Sequence, residues 1–195
     1  MGEHQRARPV VALARRHRTW HALGKPENVD RLVGEVLAEV GRVRATPAPA
    51  LHDLVVAGHS RAYDLLEPMV HGRHEPAMTS GHLARLSQVW AFDTTYAGNV
   101  DGWLDWLATN PRLRVRMFYR PGSPTAAIGD TFHAKRGGRL SVVRVGETHC
   151  AVPATRLPAL LSPAAGPDPD AIDDEAADAG DDLSMRLGLC PPGVR

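Results

Sequence analysis

Short apolar runs alternate with amphipathic segments along most of the chain. In residues 28–43 the apolar side chains recur at helical spacing, with charged side chains on the opposite face, which predicts a helix. Runs rich in β-branched residues predict strands, because a buried parallel sheet favours them. The predicted strands are Pro9–Ala14, Leu54–Ala57, Gln88–Phe92, Leu113–Tyr119 and Leu140–Val145.

Further helices are predicted between and after these strands, over residues 62–70, 103–108 and 155–161. Residues 71–80 are polar and are predicted to form a loop. The alternation of strands and helices is typical of an α/β fold, with a mostly parallel sheet and flanking helices. A small doubly wound domain of flavodoxin-like type is the alternative fold.

The composition adds a division into segments. A chain of 195 residues with 43% hydrophobic residues suits one globular domain. Residues 163–182 carry eight acidic and no basic side chains, with too few apolar residues to form a core. We therefore expect a flexible N-terminus over residues 1–8, a domain over 9–161, and a disordered acidic Pro/Ala/Asp-rich tail over 162–195.

Charge and hydropathy narrow the functional classes. No apolar run approaches the roughly 20 residues that span a bilayer, and the basic N-terminus lacks the features of a secretory signal. We expect a cytoplasmic protein without a membrane span. The formal net charge is +1, the arginines are scattered, and no nucleic-acid recognition motif is present, so nucleic acid is not an expected partner. Cys150 and Cys190 are predicted to be free thiols.

The sequence from Gly58 to Ala62 lies between a predicted strand and a predicted helix, with Ser60 at its centre. This is the context of a nucleophile elbow, in which a strained strand-to-helix turn exposes a serine hydroxyl. Small residues two positions away on either side avoid a clash in such a turn. The motif is a near match, because Ala62 stands where glycine is usual. An ordinary turn whose serine caps the helix is the alternative.

An acid and a histidine follow Ser60 in a meaningful order. Asp93 comes directly after a predicted strand, and His149 follows the last predicted strand within a short loop. Serine, acid and histidine in this order are typical of α/β-hydrolases, and parallel strands bring their carboxyl ends to one edge of the sheet. Other candidate acids do not directly end a strand: these are Asp101, Asp105 and Asp130.

Several segments beyond these residues resemble a poorly characterised bacterial branch of α/β-hydrolase-like proteins. The resemblance covers most of Pro9 to Leu161 and rests on residues 25–37, Ala57–Tyr63, Phe92–Tyr96 and Val142–Pro153. Members of that branch carry a Gly-x-Ser-Gly-Gly or Gly-x-Ser-Gly-Ala elbow and an Asp-x-x-Tyr sequence after the next strand. The resemblance implies an α/β-hydrolase-like domain that lacks its N-terminal strands.

The resemblance also implies an activity. Ser60 would act as nucleophile, His149 as base and Asp93 as the acid that orients it, in a serine hydrolase that cleaves a small-molecule ester, thioester or amide through an acyl-enzyme. No cofactor and no metal are expected. A catalytically inactive or truncated binding module with the same fold is the alternative.

Further residues are expected to form the oxyanion site and the cleft around Ser60: Arg61, His59, Tyr63 and Tyr96. Arg61 departs from the family, where glycine follows the nucleophile, although its backbone N–H can still serve an oxyanion. A His-Gly loop that supplies the second oxyanion donor is missing before Ser60. Missing strands would expose a sheet edge that a partner chain could cover.

Two pairs of histidines are candidate metal ligands. His17 and His21 have the i, i+4 spacing that can bind zinc, and His71 and His74 lie in a predicted loop. No third ligand is apparent for His17 and His21, and an exposed polar loop explains His71 and His74 without a metal, so we interpret all four as surface histidines.

Overall fold

A four-stranded, all-parallel sheet forms the centre of the protein. The computed structural model describes residues 23–94 and 98–161. The strands are β1 (Leu54–His59), β2 (Leu86–Phe92), β3 (Arg114–Tyr119) and β4 (Leu140–Arg144), and they are adjacent in the order β1-β2-β3-β4. This confirms the expected α/β fold with a parallel sheet. The predicted strand Pro9–Ala14 lies outside the described residues.

Helices flank the sheet. They are α1 (Pro26–Arg44), α2 (Tyr63–His71), α3 (Pro76–Ser80), α4 (Val100–Thr109), α5 (Ala126–Ala134) and α6 (Ala151–Leu161). Short 3-10 turns occupy Ser60–Ala62 and His82–Arg85. Local chemistry sets several ends: Pro26 begins α1 because a first-turn residue needs no N–H partner, and the side chain of Asn99 accepts a hydrogen bond from Gly102 N at 2.9 Å to cap α4.

Two helical segments differ from the sequence prediction. The predicted loop over residues 71–80 contains α3, which begins at Pro76. Helix α5 was not predicted at all, because Ile128, Gly129 and Thr131 weaken the intrinsic helix propensity of the segment. Packing supplies the stability instead, since Phe132 of α5 is 1% exposed in the core.

The sheet separates two apolar cores. The larger one lies on the side of α1, α2, α4 and α5 and includes Val89 and Val115, which are fully buried. The smaller one forms where α6 covers the other face, and its buried members are Trp90, Phe92, Phe118, Val145 and Val152. Because side chains alternate along a strand, each central strand contributes to both cores.

Strand β1 is less covered than the rest of the sheet. Within the described residues it pairs only with β2, and Val55 is 37% exposed on the face that α6 covers elsewhere. Ala57, two residues further along the same face, is also exposed. The partner chain expected at a sheet edge stays a prediction.

Two other expectations concern the chain as a whole. Among the described residues, no helix is both long and apolar enough to cross a membrane. The expectation of a free thiol is wrong at Cys150, which is disulfide-bonded. Cys190 lies outside the described residues, as do the N-terminal segment and the acidic tail.

Candidate functional site

The carboxyl edge of the sheet carries the three residues that the sequence analysis singled out. Ser60 directly follows β1, Asp93 directly follows β2, and His149 lies in the loop between β4 and α6. Parallel strands end at the same edge, so these positions share one side of the molecule.

Ser60 adopts a left-handed backbone conformation, with φ of 55°. Such a conformation is costly for a residue with a side chain and is found mostly where the surrounding structure enforces it. The turn is also tight: a Cβ at Gly58 would lie 2.9 Å from Ala62 Cβ. The predicted strain at Ser60 is therefore present, and the close approach of Ala62 explains why position 58 is glycine.

Asp93 and His149 form a close pair. His149 Nδ1 lies 2.6 Å from Asp93 Oδ2, and Thr125 Oγ1 donates a hydrogen bond to the other carboxylate oxygen. Asp93 is 1% exposed, and its backbone is left-handed with φ of 48°. The carboxylate therefore holds the imidazole of His149 from inside the protein.

Hydrogen bonding keeps the Asp93 carboxyl ionised despite its burial. Burial alone raises the pKa of this carboxyl, but the hydrogen bonds from His149 and Thr125, together with the electrostatic interactions with His149 and Arg120, lower it by more. The net pKa of Asp93 lies below its ordinary value. Because an ionised carboxylate only accepts hydrogen bonds, Nδ1 of His149 carries the proton in this contact.

His59 joins the turn at Ser60 to the loop of His149. Its Nε2 lies 2.9 Å from the backbone oxygen of His149, and the two imidazole rings are 4.5 Å apart. A carbonyl oxygen only accepts, so His59 Nε2 is the donor. Burial, followed by the nearby charge of His149, lowers the pKa of His59 to about 4, although the hydrogen bond to the His149 carbonyl and the charge of Asp93 oppose the shift.

The structure brings Ser60 and His149 to the same edge without a hydrogen bond between them. The contact with His149 is made by the preceding residue, His59. Of the two contacts expected of His149, the one with Asp93 is present and the one with Ser60 is absent.

The other expected cleft residues behave differently from one another. The side chain of Arg61 is exposed and pairs with Asp64, with 3.0 Å between Arg61 Nε and Asp64 Oδ2. Tyr63 is half-buried and lines a groove along α2. Tyr96 lies outside the described residues.

Two of the alternative acids have partners away from Ser60. Asp105 pairs with Arg73, with 2.6 Å between Nε and Oδ2, and lies near His74. Asp130 accepts hydrogen bonds from Tyr119 and from Arg144. Asp101 is exposed on α4.

The described residues contain no group of three or more His, Cys, Asp or Glu side chains suited to a metal ion. His74 is near Asp105, and His71 lines the groove along α2. His17 and His21 lie outside the part of the chain that the structure describes.

Sequence reasoning missed two supports of the site. Thr125 is fully buried and holds Asp93, but nothing in the turn Pro121–Pro124 before it indicates such a role. Glu147 and Arg156 form a buried ion pair across the loop of His149, with 2.6 Å between Arg156 Nε and Glu147 Oε1. The sequence did offer one signal for this ion pair: an acidic residue stands two positions before His149, and a basic residue stands in the helix that follows.

Two grooves lie on this part of the surface. One, of about 540 Å³, follows α2 and is lined by Tyr63, Asp64, Glu67, Pro68, His71, Gly98 and Asn99. The other, of about 350 Å³, is lined by Arg120, Pro121, Arg144, Val145 and Gly146. Ser60, Asp93 and His149 line neither groove, although both grooves contain residues of the turns that follow the strands.

Comparison of the chain with protein-family models, with curated proteins and with solved structures gives no match. The α/β class rests on the observed sheet and helices. The resemblance to α/β-hydrolases stays a prediction.

Proposed function

We propose that the protein is a serine hydrolase that cleaves an ester, thioester or amide through an acyl-enzyme. Ser60 is the nucleophile, His149 the general base and Asp93 the residue that orients His149. The observation that carries the proposal is the 2.6 Å contact between His149 Nδ1 and the buried Asp93 carboxylate, at the edge where Ser60 is held in a left-handed turn.

The proton on Nδ1 determines what His149 can do. With Nδ1 donating to Asp93, Nε2 carries the lone pair that takes up a proton. In the proposed reaction Ser60 Oγ attacks the carbonyl carbon while its proton passes to Nε2. The bond to the leaving alcohol, thiol or amine then breaks as Nε2 returns the proton to it, and water releases the acyl group by the same steps.

The reaction requires a hydrogen bond between Ser60 and His149, so the two side chains must move closer together than they are in this structure. Catalytic hydrogen bonds are often long or poorly aligned before substrate binds, and they tighten in the complex. The link from His59 to the His149 carbonyl supports the proposal, because it ties the loop of His149 directly to the turn of Ser60.

An oxyanion donor is available at the same turn. The first amides of a helix have no partner within the helix, and Arg61 is the second residue of the 3-10 turn Ser60–Ala62, which leads directly into α2. We assign its backbone N–H as one donor to the oxyanion, in line with a nucleophile elbow. Loss of one such donor commonly reduces turnover by about 10² to 10³, so a second donor is a requirement for fast chemistry.

The second candidate is a non-catalytic module that binds a ligand at this edge. The absence of a hydrogen bond between Ser60 and His149 favours it. Labelling by a fluorophosphonate separates the two, because only an activated serine reacts quickly with such a probe.

The test is the labelling rate of the purified chain with a fluorescent fluorophosphonate. We expect Ser60→Ala and His149→Ala to abolish labelling, and Asp93→Asn to slow it by at least about 10², because the imidazole loses its orienting carboxylate. Mass spectrometry of the labelled peptide should place the adduct on Ser60.

Ser80→Ala is the matched control, because Ser80 is exposed at the end of α3 and, among the described residues, its hydroxyl donates only to Pro76 O. It should label at the wild-type rate. A folded wild-type chain that stays unlabelled, or that labels equally well without His149, would contradict the hydrolase proposal and favour the binding module.

A further inference from the structure

Two arginines line the groove at the ends of β3 and β4. Arg120 directly follows β3 and Arg144 ends β4, and both line the cavity of about 350 Å³ together with Pro121, Val145 and Gly146. A Cβ at Gly146 would meet no atom within 4 Å, so the floor of the groove is open there.

The two arginines differ in how they are held. Arg144 is fixed, because its Nε donates to Tyr119 Oη at 2.6 Å and its Nη2 donates to Asp130 Oδ1 at 2.9 Å. No described carboxylate pairs with the half-buried Arg120. Arg120 is also near enough to Asp93 for its charge to lower the pKa of that carboxyl. Because no described carboxylate forms an ion pair with Arg120 and a second, fixed arginine lies beside it, Arg120 is suited to bind an anion from outside the protein.

We propose that this groove binds a carboxylate at the far end of the acyl chain of the substrate, with Arg120 as its main ligand. The inference rests on the proposed function for the acyl group, and it adds the substrate class: monoesters or monoamides of dicarboxylic acids. Arginine suits this group because its planar guanidinium can donate two parallel hydrogen bonds to a carboxylate.

The separation of the strands sets the length of that substrate. Ser60 directly follows β1 and Arg120 directly follows β3, and β2 lies between these two strands. Neighbouring strands are about 4.8 Å apart, so the two positions are roughly 10 Å apart along the edge. A medium-length acyl chain such as that of adipate, with the reach of an arginine side chain, spans this distance.

The kinetic test compares two esters of equal acyl length, 4-nitrophenyl hydrogen adipate and 4-nitrophenyl hexanoate. We expect wild-type protein to prefer the adipate ester, and Arg120→Gln to lower the ratio of the two kcat/KM values about tenfold, because a charge-assisted hydrogen bond is lost. Arg114→Gln is the control, since Arg114 is exposed at the opposite end of the same strand. It should leave the ratio unchanged.

A binding test separates this inference from the hydrolase proposal. Adipate is titrated into Ser60→Ala protein and into Ser60→Ala/Arg120→Gln protein, and backbone amide shifts are followed by NMR. Saturable shifts near Gly146 that disappear with Arg120→Gln support the carboxylate site even if the wild-type chain hydrolyses neither ester. Equal hydrolysis of both esters without Arg120-dependent binding would overturn the site and leave the hydrolase proposal standing.

Discussion

The imidazole of His59 makes the stability of the protein depend on pH. The pKa of His59 is lowered from 6.5 to about 4, chiefly by burial, so the folded protein disfavours its charged form. Between these values the unfolded chain binds a proton that the folded chain does not, and stability is lost as the pH falls from about 6.5 to about 4. The lowered pKa of Asp93 acts in a lower range, because that contribution is lost only below its ordinary pKa of 3.8.

Between pH 7 and pH 4 the free energy of unfolding of wild-type protein should fall by roughly 2 to 3 kcal/mol more than that of His59→Gln. Glutamine can still donate to the His149 carbonyl, but it does not titrate. Urea unfolding of both proteins between pH 4 and pH 7 measures the difference. His52→Gln, at an exposed position, is the control and should retain the wild-type slope. If the free energy of unfolding changed with pH equally in wild type and His59→Gln, the lowered pKa of His59 would be contradicted.

At the residue scale, the sequence was informative where chemistry coincides with a strand end. Ser60 and Asp93 could be chosen because each directly follows an apolar run, and the left-handed turn at Ser60 follows from the small residues around it. The donor Thr125 could not be chosen, since its role depends on how the turn after β3 packs against Asp93. The contact of His59 with His149 links positions 90 residues apart, which no local pattern encodes.

At the scale of one element, helix α6 is joined to the preceding loop by the ion pair of Glu147 and Arg156. The side chains are only 3% and 9% exposed, and the pair is held by charge without a well-aligned hydrogen bond between Nε and Oε1. Removal of one member leaves a buried charge unpaired, which is far more costly than the loss of a surface pair. The loop of His149 lies between the two residues, so this ion pair also holds the proposed base.

We expect Arg156→Met to lower the free energy of unfolding by about 3 kcal/mol, measured by urea denaturation. Arg112→Gln breaks the exposed pair with Asp53, whose side chains are 51% and 64% exposed, and should cost less than about 1 kcal/mol. Similar losses in the two variants would show that the burial of Glu147 is not energetically important.

Element prediction succeeded where the apolar pattern was periodic and failed where packing replaced it. The extents of α1 and β2 follow closely from their apolar positions, whereas α5 has weak propensity and exists because it lies against the sheet. Its close approach is visible at Gly129, where a Cβ would overlap the ring of Tyr119. Helix propensity depends on the residues of the segment itself, so it cannot predict a contact between α5 and Tyr119 of β3.

At the scale of the whole molecule, the sheet is unevenly protected. Strands β2 and β3 are paired on both sides and contain fully buried residues such as Val89 and Val115. Strand β1 is paired on one side within the described residues and exposes Val55. Stability is therefore expected to decrease from the central strands toward β1.

Hydrogen exchange measured by mass spectrometry should show this gradient. We expect the amides of β2 and β3 to exchange at least about tenfold more slowly than those of β1, because their opening requires disruption of both cores. The comparison is made at two protein concentrations. If the amides of β1 were as protected as those of β3, and their protection increased with protein concentration, the expected gradient of stability would be contradicted. Such a result would indicate that a second copy of the chain covers β1.

The parallel arrangement of the strands was predicted from the alternation of strands and helices, whereas the strand order was not predicted. The uneven cover of the two faces did not follow from the alternation either. It depends on where α6 lies, and the apolar side chains of a short helix do not specify which face of a sheet they will meet.

The left-handed turn at Ser60 has a consequence for protein engineering. Glycine adopts this conformation at little cost, whereas serine there carries a penalty of about 1 to 2 kcal/mol. Selection of a random library for thermal tolerance alone therefore favours glycine at position 60 and discards the hydroxyl. On the proposed assignment of Ser60 as nucleophile, a screen that retains only heat-resistant variants would enrich better-folded proteins that lack the nucleophile, so such a selection would have to be coupled to an assay of the proposed activity.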